Sequence, residues 1–138
     1  YFDAEFSKIT KAINCRKKDF LIVRKEVHEN EMIVLTKDNR VMELSKNPDT
    51  KNIEYDTIVE SVGIIKLSKI AAKQLIEKIS IFVENNNLNQ NYEAGINSLF
   101  DTINFSALEL DETSVVEELD TMNDITKLKS LKTFAGFN

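Results

Sequence analysis

The chain has 138 residues, enough for one domain that buries its own core without staples. It is 42% hydrophobic and 30% charged, with a formal net charge of −5, and its longest basic run is only the Arg16–Lys18 triplet. A dedicated nucleic-acid binder would show a basic face, and a membrane protein an apolar run long enough to span the bilayer, so both classes are disfavoured. One cysteine, Cys15, and one histidine, His28, exclude an intrachain disulfide and a zinc site with the usual ligand set. With no signal peptide evident, the expectation is a protein of a reducing compartment, the cytoplasm.

In chain order, Phe2, Phe6, Ile9 and Ile13 recur at helical spacing, which predicts a first helix. Cys15, ending it, reads as a small buried hydrophobe. Residues 19–27, "DFLIVRKEV", form an apolar, β-branched run bounded by charge, as a buried strand would. His28 follows in the polar stretch "HENE", whose default reading is a solvated turn. "EMIVLTKDNRVMELSK" carries two β-like runs about "KDNR", where Asp38 and Asn39 tolerate the backbone angles of a tight hairpin. The loop around Pro48 leads to a further strand in "IVESVGIIKLS", where Gly63 suggests close approach of another backbone or a ligand.

Ser68 is placed to cap a helix over 69–84, with Ile70, Ala71, Leu75, Ile79 and Phe82 on one face. After the polar "NNNLNQN", the segment 92–103 reads as a second helix with Tyr92, Ile96, Leu99, Phe100 and Ile103 turned inward. Strands "FSALEL" and "SVVEEL" and a last helix from Asp120 complete the pattern. The order predicts one α/β domain, 1–138, with a mixed sheet that binds ligands at strand ends.

The acidic segment "VVEELDTMND" at 115–124 holds the strongest chemical signal. Thr121 and Asp124 have capping-box spacing, and Asp120 and Asp124 suit the positive end of a helix dipole. Glu118 and Asp120, two apart on a strand, point to one face, where two carboxylates repel unless a cation offsets them. Lys46 ends a strand beside a loop, as a solvated lysine or as a point charge for a phosphate. Tyr92 fits an inward helix face, and Glu93 beside it reads as a first-turn dipole partner. Three isolated glycines write no Walker loop and no GxGxxG, so a nucleotide-phosphate loop, if the protein has one, lies elsewhere.

Taken in order, "YFDAEFSKI", "MIVLTKDNRVMELSK", "ESVGIIKLSKIAAKQLIE", "NYEAGINSLF" and "VVEELDTMNDITKLK" resemble the second half of a nucleotidyltransferase. The resemblance is to the sugar-phosphate, phosphocholine and 2-aminoethylphosphonate cytidylyltransferase family. That family's closing "W-V-E-I-D-T-P-E-D-L" is similar to Val116–Ile125, with valine here for the leading aromatic. Its "E-I-S-K" is similar to Glu43–Lys46, its "S-I-G-I-Y" to Ser61–Ile65, and its "Y-Y-E" to Asn91–Glu93.

The resemblance implies a Rossmann-like mixed sheet of the nucleotidyltransferase type, lacking its N-terminal nucleotide-binding half. It implies a magnesium-dependent enzyme that transfers CMP from CTP, or another nucleotide from its triphosphate, to a small phosphate or phosphonate acceptor, releasing pyrophosphate. Asp120 would hold Mg2+ with an aspartate expected just upstream of Tyr1. Lys46 would meet the acceptor phosphate or phosphonate, and Glu93, Tyr92 and Glu118 would lie near its head group. The chain opens without methionine and without the family's glycine-rich segment, so it reads as a piece of a longer protein, inactive alone. The alternative is a non-catalytic α/β binding or regulatory module that retains the fold's C-terminal half.

Overall fold

The computed structural model describes residues 18–87 and 92–110, with the backbone of 2–3 and 115–116 and isolated positions 14, 122–123 and 125–126. Five strands carry the core: β2 (Asp19–Arg24), β3 (Ile33–Lys37), β4 (Arg40–Ser45), β5 (Thr57–Lys66) and β6 (Phe105–Glu109). Two further short strands, β1 (Phe2–Asp3) and β7 (Val115–Val116), pair with each other. The helices are α1 (Lys69–Glu84) and α2 (Tyr92–Asn97). None of the described helices is long and apolar enough to cross a membrane.

The anticipated mixed α/β sheet is present, and its strands close into a barrel in the order β2-β5-β3-β4-β6. Only β2 and β6 run parallel; the other pairs are antiparallel. Closure rests on a narrow seam, where Arg40 pairs Ser106 and the Ala107 amide donates to Asn39 O at 3.1 Å. β2 is apolar on both faces because both are covered. Leu21 and Val23 join the main core, while Phe20 and Ile22 pack with Val62, Ile64, Leu108 and Leu110.

Local chemistry explains most element boundaries. Asp38 (φ 50°) and Asn39 (φ 64°) both take the left-handed conformation, making the two-residue turn that matches strand twist between β3 and β4. The Asp38 amide donates to Asp56 Oδ2 at 2.7 Å, which fixes the turn against the start of β5. Ser68 Oγ accepts from the Ala71 amide at 3.2 Å and so starts α1. The Ser68 amide in turn donates to Asp19 Oδ1, joining the α1 cap to the first residue of β2. At the other end Asn86 (φ 56°) turns the chain, with Asn87 N–H donating to Phe82 O and Asn86 N–H to Val83 O. That is the left-handed helix stop expected of glycine, supplied here by asparagine.

Several expectations need correction. Phe2, assigned to a helix, lies in β1, paired with Val116. Gly63 has a left-handed φ of 74°, and a Cβ there would meet nothing within 4 Å, so no backbone crowds it. It instead sits where the β2–β5 register slips, from Leu21↔Ile65 to Val23↔Ser61, and lets β5 bulge. On α1, Ala71 is buried, Leu75 packs on the core and Ile79 lies beside it against Gly95, but Ile70 is 68% exposed.

The helix expected over 92–103 stops at Asn97. Beyond it the chain tightens into i→i+3 bonds, Leu99 to Ile96 and Phe100 to Asn97, while the Ser98 hydroxyl takes the Gly95 carbonyl at 2.7 Å. Ile96, Leu99 and Phe100 are nevertheless buried as anticipated, and Phe100 meets Phe105 edge to face at 5.2 Å.

Candidate functional site

Two side-chain clamps dock α2 and its following turn on β4. Asn97 acts as a substitute strand: its Oδ1 accepts the Leu44 amide at 2.8 Å and its Nδ2 donates to Leu44 O at 2.7 Å. This satisfies both backbone groups of β4 at a position beyond the short β4–β6 pairing. Arg40 Nη2 donates to Phe100 O at 2.6 Å and holds the far side of the turn. Neither clamp is visible as a sequence motif, because each joins a side chain to a backbone group more than fifty residues away.

The clamp relates two of the residues singled out above. Lys46 is exposed immediately after β4, two residues beyond Leu44. It has no ion pair or hydrogen bond among the described residues. Glu93 lies one helical turn before Asn97, on the same face of α2. It is half-buried, and its Oε2 is enclosed without a hydrogen-bond partner. A carboxylate oxygen withdrawn from water calls for a proton, a water molecule or a cationic group to offset its desolvation. Tyr92, expected to point inward, is 51% exposed at the first position of α2, which corrects that expectation.

The loop that follows Lys46 is organised by carboxylates. Asp49 Oδ1 accepts the Lys51 and Asn52 amides, its Oδ2 accepts from Asn52 Nδ2 at 2.8 Å, and its own amide donates to Glu43 Oε2. The Asn52 side chain is the main reason that the Asp49 carboxyl sits below its usual range.

The residues of the acidic motif, Glu118 and Asp120, lie outside the described residues, as does the Thr121–Asp124 capping pair. What is described is their approach. The antiparallel register Phe2↔Val116 and Asp3↔Val115 puts the start of β1 beside the end of β7. At the motif's end and just after it, Met122, Asn123, Ile125 and Thr126 are helical, and Thr126 Oγ1 donates to Met122 O at 3.1 Å, in line with the expected last helix. Among the described residues no three His, Cys, Asp or Glu side chains gather to hold a metal ion.

The structure also shows a polar centre that sequence reading missed. Glu60 is fully buried in β5. Arg24 donates to its Oε1 through Nε at 2.6 Å and through Nη2, while His28 donates to its Oε2 through the backbone amide at 2.8 Å and the ring Nδ1 at 2.9 Å. Burial pushes the Glu60 carboxyl up, but the His28 amide, the His28 ring and Arg24 outweigh it and hold it below its usual range. His28 is therefore anchored, rather than only solvated as its polar turn implied. The ladder carries this row further: Arg24↔Glu60, Glu60↔Ile33 and Ile33↔Ser45 are successive partners. Lys46 thus leaves the barrel at the end where β2 stops and the 25–32 loop begins.

No protein-family profile and no curated protein matches the sequence. Among solved structures, the fold is similar to that of a CTP:phosphocholine cytidylyltransferase from Streptococcus pneumoniae, with a TM-score of 0.62 at 15% identity. The match covers 83% of this chain and 48% of that one, so the chain spans about half the length of that protein. At this identity the likeness shows the fold alone: a mixed α/β sheet arranged as in that cytidylyltransferase.

Proposed function

We propose that this chain is the acceptor-side part of a nucleotidyltransferase, transferring CMP from CTP to a small phosphorylated or phosphonate acceptor with release of pyrophosphate. The observation that carries the reading is the fold: most of the chain superposes on a cytidylyltransferase, whose name states CTP and phosphocholine as its substrates. The order of motifs along the sequence supports the same reading independently.

In this reading the acceptor lies between the end of β4 and the first turn of α2. Lys46, exposed and without an ion pair among the described residues, neutralises the acceptor phosphate or phosphonate. Glu93, whose enclosed Oε2 lacks a partner, faces the acceptor head group, with Tyr92 at the rim and Glu118 contributed from the acidic motif. A carboxylate pair of hard oxygens suits Mg2+, and Asp120 with a second carboxylate would hold it. The β1–β7 register favours that pairing, because the chain entering β1 and the chain leaving β7 share one end of the pair. When bound, the ion offsets the negative charge of the phosphates. The protein's own share is alignment: acceptor oxygen, α-phosphorus and leaving pyrophosphate must fall in line.

The test is pyrophosphate release by the complete protein with CTP, Mg2+ and a panel of acceptors: phosphocholine, 2-aminoethylphosphonate and sugar 1-phosphates. The expected result is acceptor-dependent release with at least one of them. No release with any member, with CTP or with the other nucleoside triphosphates, would contradict the reading.

A further inference from the structure

We infer that one flank of α1 is a self-association surface on which a second copy of this chain docks antiparallel, independently of the nucleotidyltransfer reading. Of the 16 residues of α1 only Ala71 is buried. The second half of the helix carries Ile76, Ile79, Ile81 and Val83, all of them exposed. A helix draws most of its stability from packing an apolar face, and β-branched residues add little propensity of their own. This half of α1 therefore presents apolar surface that the described fold leaves uncovered.

The surface is ordered. Ala72, Ile76, Ile79 and Val83 follow one another at intervals of four, three and four residues, the spacing of a coiled-coil seam. Ile76 is 65% and Val83 58% exposed, while Ile79 stands at the join, against Gly95 of α2 on one side and open on the other. Ile70 and Ile81 lie about 150–170° round the helix from the midline of this seam and take no part in it.

The charges on α1 select the occupant. Lys69 opens the helix and Glu84 closes it, with no acidic residue in the first turn and no basic residue in the last. Both ends are thus charged against the helix dipole. Neither residue has an ion pair among the described residues. A second copy laid antiparallel corrects both ends at once. With Ile76 facing Ile79 and Ala72 facing Val83 across the seam, Lys69 of each copy comes beside Glu84 of the other, and the two-fold axis gives every contact twice. A parallel copy would set Lys69 against Lys69 and Glu84 against Glu84. The flank is complementary to itself in one direction only.

The experiment is sedimentation of the complete protein at rising concentration. A helix of this length makes a contact about 24 Å long, a small interface, so the expected result is a monomer–dimer equilibrium in roughly the micromolar range. Ile76→Asp buries a charge at the seam and should weaken association about a hundredfold or more, with the urea unfolding midpoint unchanged because the side chain is exposed. Lys69→Glu should weaken it about tenfold although it suits the helix dipole better, and adding Glu84→Lys should restore it. Ile81→Asp, on the other flank, should leave it unchanged. A protein that stays monomeric up to about 100 µM would overturn the surface, including the case in which other parts of the complete chain cover it. A dimer indifferent to Ile76→Asp would overturn it too, and a double charge exchange that fails to restore association would overturn the antiparallel arrangement.

Discussion

His28 donates twice to the same oxygen of Glu60, from its backbone amide at 2.8 Å and from its ring at 2.9 Å. One buried carboxylate on β5 thereby fixes the loop that leaves β2, while its other oxygen holds Arg24 on β2 itself. Arg24→Met would leave Glu60 buried with half of its partners, and such a loss costs about 3–5 kcal/mol. Equilibrium urea unfolding checks this; a loss below about 1 kcal/mol would mean that the pair is dispensable.

The same centre sets a pH dependence. The Glu60 carboxyl is held below its ordinary value of 4.5 in the folded chain, so the unfolded chain binds its proton first as pH falls. The stabilisation is therefore complete above the unfolded value and is lost as pH drops through the lower, folded one. Glu60→Gln should have a flatter stability curve than the native chain below about pH 4.5. Parallel curves in the two proteins would count against the assignment.

Asn97 satisfies the amide and the carbonyl of Leu44 together. Asn97→Ala would leave both without that partner and cost about 1–3 kcal/mol. On the proposed reading, in which the clamp positions Glu93 relative to Lys46, the variant should also raise the acceptor KM of the complete protein. Asn97→Asp keeps the acceptor oxygen but not the donor, so it should restore only part of the stability.

Glu93 separates binding from folding. Its enclosed oxygen has no partner to lose, so Glu93→Gln should unfold at the same or a higher denaturant concentration. The acceptor KM should rise for substrates with a cationic head group and change less for sugar phosphates. A destabilised variant with unchanged KM would assign Glu93 to the fold instead.

Gly63 and Gly95 give opposite expectations for the same substitution. At Gly63 space is open but φ is 74°, so Gly63→Ala should cost about 1–2 kcal/mol through backbone strain alone. At Gly95 the backbone is helical and a new Cβ would meet Leu75 Cδ1 at 2.9 Å, the end of a flexible side chain. There the gain in helix propensity, about 1 kcal/mol, offsets the displacement of Leu75, and little net change is expected. Thermal unfolding of both variants decides between strain and crowding.

What could be read in the sequence follows the range of the interactions. The β2 run, the Asp38–Asn39 turn and the Ser68 cap are local, and each appears where its chemistry placed it. Glu60 was hidden within the apolar "IVESVG" because its partners stand 36 and 32 positions away. The stop of α2 at Asn97 was hidden for a similar reason: the helical spacing continues, but the Asn97 side chain is committed to β4. Barrel closure depends on the Arg40–Ser106 pair and the Ala107–Asn39 hydrogen bond beside it, which no periodicity records. Of the residues singled out in the sequence, Glu93 and Lys46 lie on elements that the Asn97–Leu44 clamp joins, a link no local pattern shows.

The central claim, that this fold transfers nucleotides through a carboxylate at Asp120, is tested most directly by Asp120→Asn in the complete protein. Turnover would be measured as CTP-dependent pyrophosphate release, with urea unfolding as the folding control. The expected result is loss of turnover by about a hundredfold or more, consistent with removal of an electrostatic group acting on the transferred phosphate, with the unfolding midpoint unchanged. Ordinary turnover in a folded Asp120→Asn protein would contradict the assignment.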